Sequence, residues 1–172
     1  MPPEVHLLAD RPELIEAVGL LRRREWGHPP EPVDAAFWVG NTRQEAGRDG
    51  LPFTLVAVGA GGTAVGAAGL GEYDQEDLRD HSPWVMGLVV DPAWRGRGIG
   101  RALMTELEAR AATLGHRQIW VATTAAAEFY RRCGWRHAGT SVSAVEGPMT
   151  VLTTAPRAAG RGQSPGWTSP MR

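Results

Sequence analysis

The residues best suited to bind a ligand lie in a loop of arginine and glycine, residues 95–101. An apolar segment that ends at Val90 precedes this loop, and a segment with helical spacing follows from Ile99. The N–H groups of such a loop and of the first helical turn, with the positive end of the helix dipole, converge on one small volume. Arginine adds full positive charge and paired donors. The segment therefore predicts a phosphate or pyrophosphate site between a strand and a helix.

The spacing of the glycines excludes the two commonest phosphate-binding motifs. A dinucleotide fingerprint, Gly-x-Gly-x-x-Gly, would need a glycine where this chain has Arg101. A P-loop needs a lysine, and all 18 basic residues of this chain are arginine. An alternative is that Gly96, Gly98 and Gly100 only form a tight turn that lets a helix pack on a sheet. That alternative explains the glycines but not the arginines between them.

Tyr130 is a candidate proton donor on a short predicted helix, residues 125–133. Ala126, Phe129 and Cys133 share the expected core face of that helix, and Tyr130 lies about 100° away from it. We expect the ring to be packed while the hydroxyl reaches the edge of a crevice. A phenol with a pKa of about 10 is protonated at neutral pH and can donate that proton. The alternative is an ordinary amphipathic aromatic residue.

These two segments together resemble the signatures of the GNAT superfamily of N-acetyltransferases. The first is the pattern R-x-x-G-x-G that starts at Arg95, and the second is the run from Glu128 to Trp135. The resemblance covers roughly residues 53–152. It implies an acetyl-CoA-dependent enzyme that moves an acetyl group to a primary amine by direct attack in a ternary complex. It also implies an α/β fold, with a mixed, mostly antiparallel sheet, one splayed parallel strand pair and helices on both faces.

The resemblance assigns roles to individual residues. The backbone of Leu88, Val89 and Val90 is expected to bind the pantetheine arm of the coenzyme. The residues expected to bind its pyrophosphate are Arg95, Gly96, Arg97, Gly98, Ile99, Gly100 and Arg101. Tyr130 would protonate the coenzyme thiolate as it leaves, and a positioned acid of this kind accelerates a reaction about 10²- to 10⁴-fold.

A general base would be needed because an amine attacks only when it is neutral. An amine with the pKa of lysine is neutral in only about one molecule in 2,500 at pH 7. Glu72, which follows a predicted strand near the mouth of the expected crevice, is the candidate base. Nearby residues that compete for this role are Asp74, Glu76, Asp77, Asp80 and His81. This acidic connector could instead attract a cationic substrate or only be solvated.

Two departures from the superfamily pattern leave alternatives open. Thr123 and Thr124 stand where an asparagine often contacts the coenzyme arm, and residues 84–90 contain no carboxylate to act as base. The transferred acyl group could be larger than acetyl. The chain could also be a non-catalytic acyl-CoA-binding sensor or interaction module. The acceptor could be a small molecule, an antibiotic, an amino acid or a peptide N-terminus.

The periodicity predicts the elements that must position these residues. Strands are expected at residues 5–9, 53–58, 64–70, 84–90, 119–122, 135–145 and 149–154. Helices are expected at about residues 12–26, 33–46, 99–114 and 125–133. Arg22, Arg23 and Arg24 are expected to solvate their helix, and Trp26, Phe37 and Trp38 to pack in the core rather than on a substrate.

The amino-acid composition limits the classes of protein to which this chain can belong. The 172 residues have a net charge of −1, with 42% hydrophobic and 22% charged residues, as in an ordinary globular domain without affinity for nucleic acid or membranes. The single cysteine indicates a cytoplasmic protein, and five scattered histidines predict no metal site. We expect one domain over residues 1–155 and a disordered tail over 156–172. The expected assembly is a monomer or a homodimer.

Overall fold

A seven-stranded mixed sheet forms the centre of the computed structural model, which describes residues 2–160. The strands are β1 (Glu4–Leu7), β2 (Phe53–Val58), β3 (Ala64–Gly71), β4 (Trp84–Val90), β5 (Ile119–Thr123), β6 (Arg136–Ser143) and β7 (Gly147–Thr154). Their spatial order is β1-β2-β3-β4-β5-β7-β6, so β7 pairs with β5 and leaves β6 at the edge. Among these seven strands of the described residues, only β4 and β5 run parallel, and every other neighbouring pair is antiparallel.

The described residues form four α-helices. They are α1 (Ile15–Trp26), α2 (Ala35–Gln44), α3 (Ile99–Thr113) and α4 (Ala127–Arg132). The start of α2 is set by Asp34, whose side chain accepts a hydrogen bond from the N–H of Ala36 at 3.1 Å. Two short 3-10 turns, Leu8–Asp10 and Pro12–Leu14, precede α1 and delay its start beyond the predicted position.

The side chains of β2 point alternately to the two faces of the sheet, and helices cover both faces. Phe53 and Leu55 pack in the same buried cluster as Leu103 and Leu107 of α3. Val56, which points to the opposite face, packs in the cluster that contains α1. A strand that is buried on both faces has a nearly continuous apolar sequence, and β2 is apolar except for Thr54. The structure confirms the predicted mixed α/β fold.

The parallel strands β4 and β5 separate almost as soon as they meet. Trp84 pairs with Trp120 at the beginning of both strands, and no further pair joins them within the described chain. The register of β4 against β3 shifts opposite Gly87, whose φ is +60°. Such a bulge bends the strand. The single residue pair between β4 and β5 agrees with the predicted splayed pair.

The chain beyond the sheet is only partly described. Residues 156–160 are irregular, and Arg157 donates a hydrogen bond to the carbonyl of Cys133 at 3.0 Å. The rest of the predicted tail, residues 161–172, lies outside the described residues. Over residues 2–160, no helix combines the length and the apolar character needed to span a bilayer.

Candidate active site

A cleft of about 580 Å³ opens where β4 and β5 separate. One wall is formed by β4 from Val85 to Leu88, and the opposite wall by β5 and the chain that leads into α4. Residues from α1 and α2 line a third side, and the hairpin between β6 and β7 lines the fourth. The predicted arm-binding residue Leu88 lies in this lining. The next residues of β4 lead from the cleft to the arginine–glycine loop.

The loop after β4 adopts a conformation that only glycine accepts readily. Asp91 accepts a hydrogen bond from the N–H of Ala93 at 2.9 Å and starts a 3-10 turn. Gly96 and Gly98 then have φ of +76° and +78°, and no atom outside their neighbours lies within 4 Å of the place of a Cβ. Their role is therefore to turn the backbone, with open space beside them.

The start of α3 leaves backbone donors without intrahelical acceptors. Gly98 caps the helix, and its carbonyl accepts the first bond, from Ala102 at 3.0 Å. The N–H groups of Ile99, Gly100 and Arg101 precede that bond and have no acceptor within the helix. A Cβ on Gly100 would lie 3.2 Å from the ring of Phe129, so glycine here allows α4 to approach α3. This turn combines free N–H groups with the positive end of a 15-residue helix.

The arginines of the loop are held by protein groups. Arg95 donates to a carboxylate oxygen of Glu25 at 2.9 Å and to the carbonyl of Val90 at 3.1 Å. The guanidinium of Arg97 lies over the ring of Trp94, 4.7 Å from its centroid. These contacts orient the loop, and the N–H groups of Ile99, Gly100 and Arg101 at the start of α3 stay available to a ligand.

Arg101 joins the two helices that meet at the loop. Its Nη2 donates to the carbonyl of Arg132 at 2.8 Å, close to the end of α4. The guanidinium of Arg101 therefore satisfies a carbonyl at the carboxyl end of α4, while the backbone of Arg101 belongs to the first turn of α3.

Tyr130 lies on the cleft with its ring in the core. It is only 3% exposed, and its ring packs against those of Phe129 and Trp135 at centroid distances of 5.1 and 5.4 Å. Its hydroxyl forms no hydrogen bond with the residues that the structure describes. Burial raises the pKa of the phenol well above its ordinary value, with smaller contributions from Cys133 and Asp74. The phenol is therefore neutral throughout the physiological pH range.

The core face of α4 agrees with the prediction. Ala126, Phe129 and Cys133 are partly buried and pack against the buried cluster, and Tyr130 is the fully buried aromatic residue of the helix. The helix begins two residues later than predicted, because the hydroxyl of Thr123 accepts a hydrogen bond from the N–H of Ala126 at 2.9 Å and stabilises a turn there.

The acidic connector brings Asp74, rather than Glu72, to the cleft. Glu72 is exposed directly after β3, and it is absent from the described lining of the cleft. Asp74 does line it and accepts a hydrogen bond from Gln75 at 3.0 Å. Part of the Asp74 residue is exposed, but surrounding protein atoms desolvate its carboxyl and raise its pKa. A carboxyl with a perturbed pKa in a cleft is a candidate functional group.

The connector is fastened to the edge of the sheet. Asp77 accepts hydrogen bonds from the hydroxyl of Ser141 at 2.6 Å and from the N–H of Val142 at 3.1 Å. Both donors belong to the edge strand β6, and they hold the pKa of the Asp77 carboxyl below its usual value. The connector therefore covers the open edge of β6. This structural role explains the carboxylate of Asp77 without any part in proton transfer.

Comparison with known proteins decides the family. The family model described as "Acetyltransferase (GNAT) family" matches residues 13–135, more than half of the chain. The chain belongs to the acetyltransferase (GNAT) family. A search of curated proteins finds no match to this GNAT chain.

Solved structures of other GNAT proteins share the fold at low sequence identity. An aminoglycoside 6'-N-acetyltransferase complexed with coenzyme A has a TM-score of 0.72 at 18% identity, over 90% of this chain and 97% of its own. The phosphinothricin acetyltransferase from Sinorhizobium meliloti, in complex with AcCoA, has a TM-score of 0.69 at 18% identity, over 98% and 95%. The aminoglycoside 6'-N-acetyltransferase from Enterococcus faecium has a TM-score of 0.70 at 18% identity, over 90% and 97%.

Arg22 is a cleft residue of this GNAT domain that the sequence analysis placed wrongly. It was expected to be solvated, but it is 3% exposed and lines the cleft. Its Nη1 donates to Glu45 at 2.8 Å and to the hydroxyl of Thr42 at 3.2 Å. Burial lowers the pKa of its guanidinium, and Glu45 opposes that shift. The helical spacing could have indicated that Arg22 is buried, because it lies four residues after the buried Val18 on the same face of the helix.

Three aromatic residues near the cleft were expected to pack in the core. Trp26 packs against the core cluster that contains α1, and it also lines the cleft, where its ring centroid lies 6.4 Å from that of Trp38. Phe37 is 40% exposed and packs edge-on against Trp38, so the prediction was wrong for this residue. The sheet face is covered by α1, and α2 packs on α1, so Phe37 and Trp38 of α2 lie away from the sheet.

Proposed function

We propose that this chain is an acetyl-CoA-dependent N-acetyltransferase that acts on a primary amine by direct attack within a ternary complex. The observation that carries the proposal is the continuity between two features. The gap between β4 and β5 leads directly into the loop where free N–H groups and the positive end of α3 converge. One elongated ligand with an anionic end fits both.

The residues present fit a coenzyme A thioester. The edge of β4 that faces β5 has no strand partner after Trp84 in the described chain, so the backbone of Leu88, Val89 and Val90 can pair with an amide-containing arm. The residues proposed to hold the pyrophosphate are Arg95, Gly96, Arg97, Gly98, Ile99, Gly100 and Arg101. The bound thioester supplies an activated acyl carbonyl.

Tyr130 and a carboxylate are proposed to move the protons. The amine lone pair attacks the carbonyl carbon, the C–S bond breaks, and the Tyr130 hydroxyl gives its proton to the departing sulfur. The excess proton of the amine passes to a base. Glu72 stays the base predicted from sequence, and Asp74 is the alternative that the position in the cleft supports. Both are tested below.

The charge of the lining favours a cationic acceptor. Glu25 and Glu45 line the cleft but are paired with Arg95 and Arg22. The lining carboxylates that form no ion pair within residues 2–160 are Glu31, Asp74 and Glu146. They leave the cleft with excess negative charge beside two tryptophan faces, an environment that attracts ammonium groups. Aminoglycosides, which carry several ammonium groups and are the substrates named for one structural neighbour, therefore head the list of acceptors to test, and phosphinothricin, a net anion named for another, is the comparison of opposite charge.

The test combines calorimetry with a thiol-release assay. Coenzyme A should bind with a one-to-one stoichiometry, and acetyl-CoA should release thiol only when a suitable amine is added. The panel includes an aminoglycoside, phosphinothricin, a polyamine, free amino acids and a short peptide. Binding without release across the panel would instead support the non-catalytic acyl-CoA-binding module. Faster release from longer acyl-CoA donors would support transfer of a larger acyl group, and absence of binding would overturn the proposal.

The cytoplasmic location, the monomeric or homodimeric state and the division at residue 155 remain predictions.

A further inference from the structure

The guanidinium of Arg22 combines burial with unpaired donors. One nitrogen, Nη1, bonds to Glu45 and Thr42. The other two, Nε and Nη2, have no hydrogen-bond partner among the described residues, although both are buried. Unpaired buried donors are costly and uncommon, and each requires an explanation. Here both belong to one charged group at the wall of the cleft.

The unpaired side of Arg22 faces the bulge in β4. Nε and Nη2 each lie 2.8 Å, and Cζ 2.9 Å, from the position that a Cβ on Gly87 would occupy. The guanidinium therefore rests directly against the backbone of Gly87. Glu45 neutralises the opposite side of the group, so the positive end of the pair points toward the bulge. Several carboxylates of the described cleft lining lie outside ion pairs. Of these, Asp74 is the one that lies close enough to the predicted acid, Tyr130, to affect its pKa.

We propose that Arg22 stabilises the negative charge that develops on the acyl carbonyl oxygen during transfer, an inference that rests on the acetyltransferase activity proposed above. If the pyrophosphate binds at the Gly98 turn and the arm follows Val90 to Leu88, the acyl end of the donor reaches Gly87. When the amine attacks the carbonyl carbon, the π electrons of the carbonyl move to its oxygen. A buried cation beside that oxygen lowers the barrier, because charge interacts strongly in a site of low dielectric.

The balance of the step needs no further reactant. The C–N bond forms from the amine lone pair as the carbonyl π electrons move to oxygen. When those electrons return, the C–S bond breaks and its electrons leave with sulfur, which takes the Tyr130 proton, while the excess proton of the amine passes to the base. Arg22 keeps all its protons and acts through its charge. Its role is therefore distinct from those of the acid and the base, which transfer protons.

The test compares Arg22→Met, which keeps the length of the side chain without charge, with Arg22→Lys, which keeps the charge. Arg23→Met is the matched control, because Arg23 belongs to the same helix but is exposed and donates only to the carbonyl of Val33. We expect Arg22→Met to lower kcat about 10- to 100-fold while KM for acetyl-CoA changes less than about twofold. Arg22→Lys should recover part of the loss, and Arg23→Met should equal the wild type.

A spectroscopic readout separates this role from a structural one. The infrared stretching band of carbonyl-¹³C-labelled acetyl-CoA, bound without an acceptor, should lie at a lower wavenumber in the wild type than in Arg22→Met, because a nearby cation polarises the carbonyl. Circular dichroism, the thermal midpoint and the Kd for coenzyme A serve to show that each variant is folded. If Arg22→Met fails to fold, the comparison of Arg22→Lys with the wild type provides the same readouts.

Three outcomes would overturn the role of Arg22 while leaving the proposed function standing. They are wild-type kcat in folded Arg22→Met, an unchanged carbonyl band, and a raised KM confined to amines that carry a carboxylate, which would assign Arg22 to the acceptor. A wild-type protein that binds coenzyme A but transfers no acyl group would overturn the proposed function instead.

Discussion

Arg22 and Gly87 are 65 positions apart in the sequence, yet the guanidinium of the first occupies the space that a side chain on the second would fill. The contact joins α1 to the bulge of β4 at the point where the parallel strands separate. It requires glycine for two independent reasons, the φ of +60° and the proximity of the guanidinium. The shape of the cleft therefore depends on a pair of residues that neither strand nor helix periodicity reveals.

Gly87→Ala should destabilise the fold. The substitution places a methyl group against the Arg22 guanidinium and forces a residue with a Cβ into the left-handed region, at a cost of about 2–3 kcal/mol. For a chain of this length, the thermal midpoint should fall by roughly 5–10 °C, measured by circular dichroism. Gly40→Ala is the control, because Gly40 lies within α2 with nothing within 4 Å of the place of its Cβ. An unchanged midpoint for Gly87→Ala would contradict the close contact.

Gly98→Ala should weaken coenzyme binding selectively. Gly98 has φ of +78° and directs the first N–H groups of α3, so a change there misaligns the proposed pyrophosphate donors. We expect the Kd for coenzyme A, measured by calorimetry, to rise at least about tenfold, the equivalent of 1.4 kcal/mol. Gly61→Ala carries a similar strain at φ of +84° in the turn between β2 and β3, away from the cleft. Equal losses of affinity in the two variants would count against a pyrophosphate site at Gly98.

Tyr130→Phe should reduce turnover about 100-fold while leaving the Kd for coenzyme A nearly unchanged, because only the proton donor is lost. The pKa of the phenol is raised, so its acid form persists past its ordinary value near 10. The absorbance difference at 295 nm between wild type and this variant should therefore show no ionisation step up to about pH 10. Wild-type turnover in Tyr130→Phe would remove Tyr130 from the mechanism.

Asp74→Asn and Glu72→Gln distinguish the two candidate bases. If Asp74 is the base, its variant loses turnover at neutral pH, and Glu72→Gln retains it; the opposite pattern would assign the role to Glu72. Wild-type kcat should rise with pH through the raised pKa of Asp74, because only the carboxylate accepts a proton. Steady-state kinetics from pH 5 to 9 supply the measurement.

The stability of Asp74→Asn provides an independent check on the raised pKa. A carboxyl whose pKa is higher in the folded state binds its proton more tightly there, so stability falls as pH rises from its unfolded value through its folded value. Asp74→Asn should therefore unfold at a higher temperature than the wild type at pH 7, and this advantage should disappear below about pH 4. A constant difference at all pH values would indicate that the carboxyl is not desolvated.

Local features were predictable because they depend on neighbouring residues. The bounds of β2 and β4 match the prediction, since each is a nearly continuous apolar run between turn residues. The left-handed Gly96 and Gly98 and the start of α3 at Ile99 also agree with the expected loop. The resemblance carried by these segments identified the family and the mixed sheet.

The composition of the cleft was not predictable from these patterns. Trp38 was predicted to pack in the core, but α1 already covers the sheet face on that side, so Trp38 lies in the lining of the cleft. Glu72 and Asp74 are two residues apart in an irregular segment that is bound to the distant strand β6, so their spacing does not show which of them lines the cleft.

By itself, the sequence determined the secondary-structure elements, the glycine turn before α3 and the membership of a known family, because backbone preference and short-range spacing encode them. Only the tertiary structure decided that Arg22 lies against Gly87 and that Asp74, rather than Glu72, lines the cleft. Such contacts join segments far apart in the chain, and they follow from how far β4 bends at its bulge and how the helices then fill the space, quantities that no local pattern records.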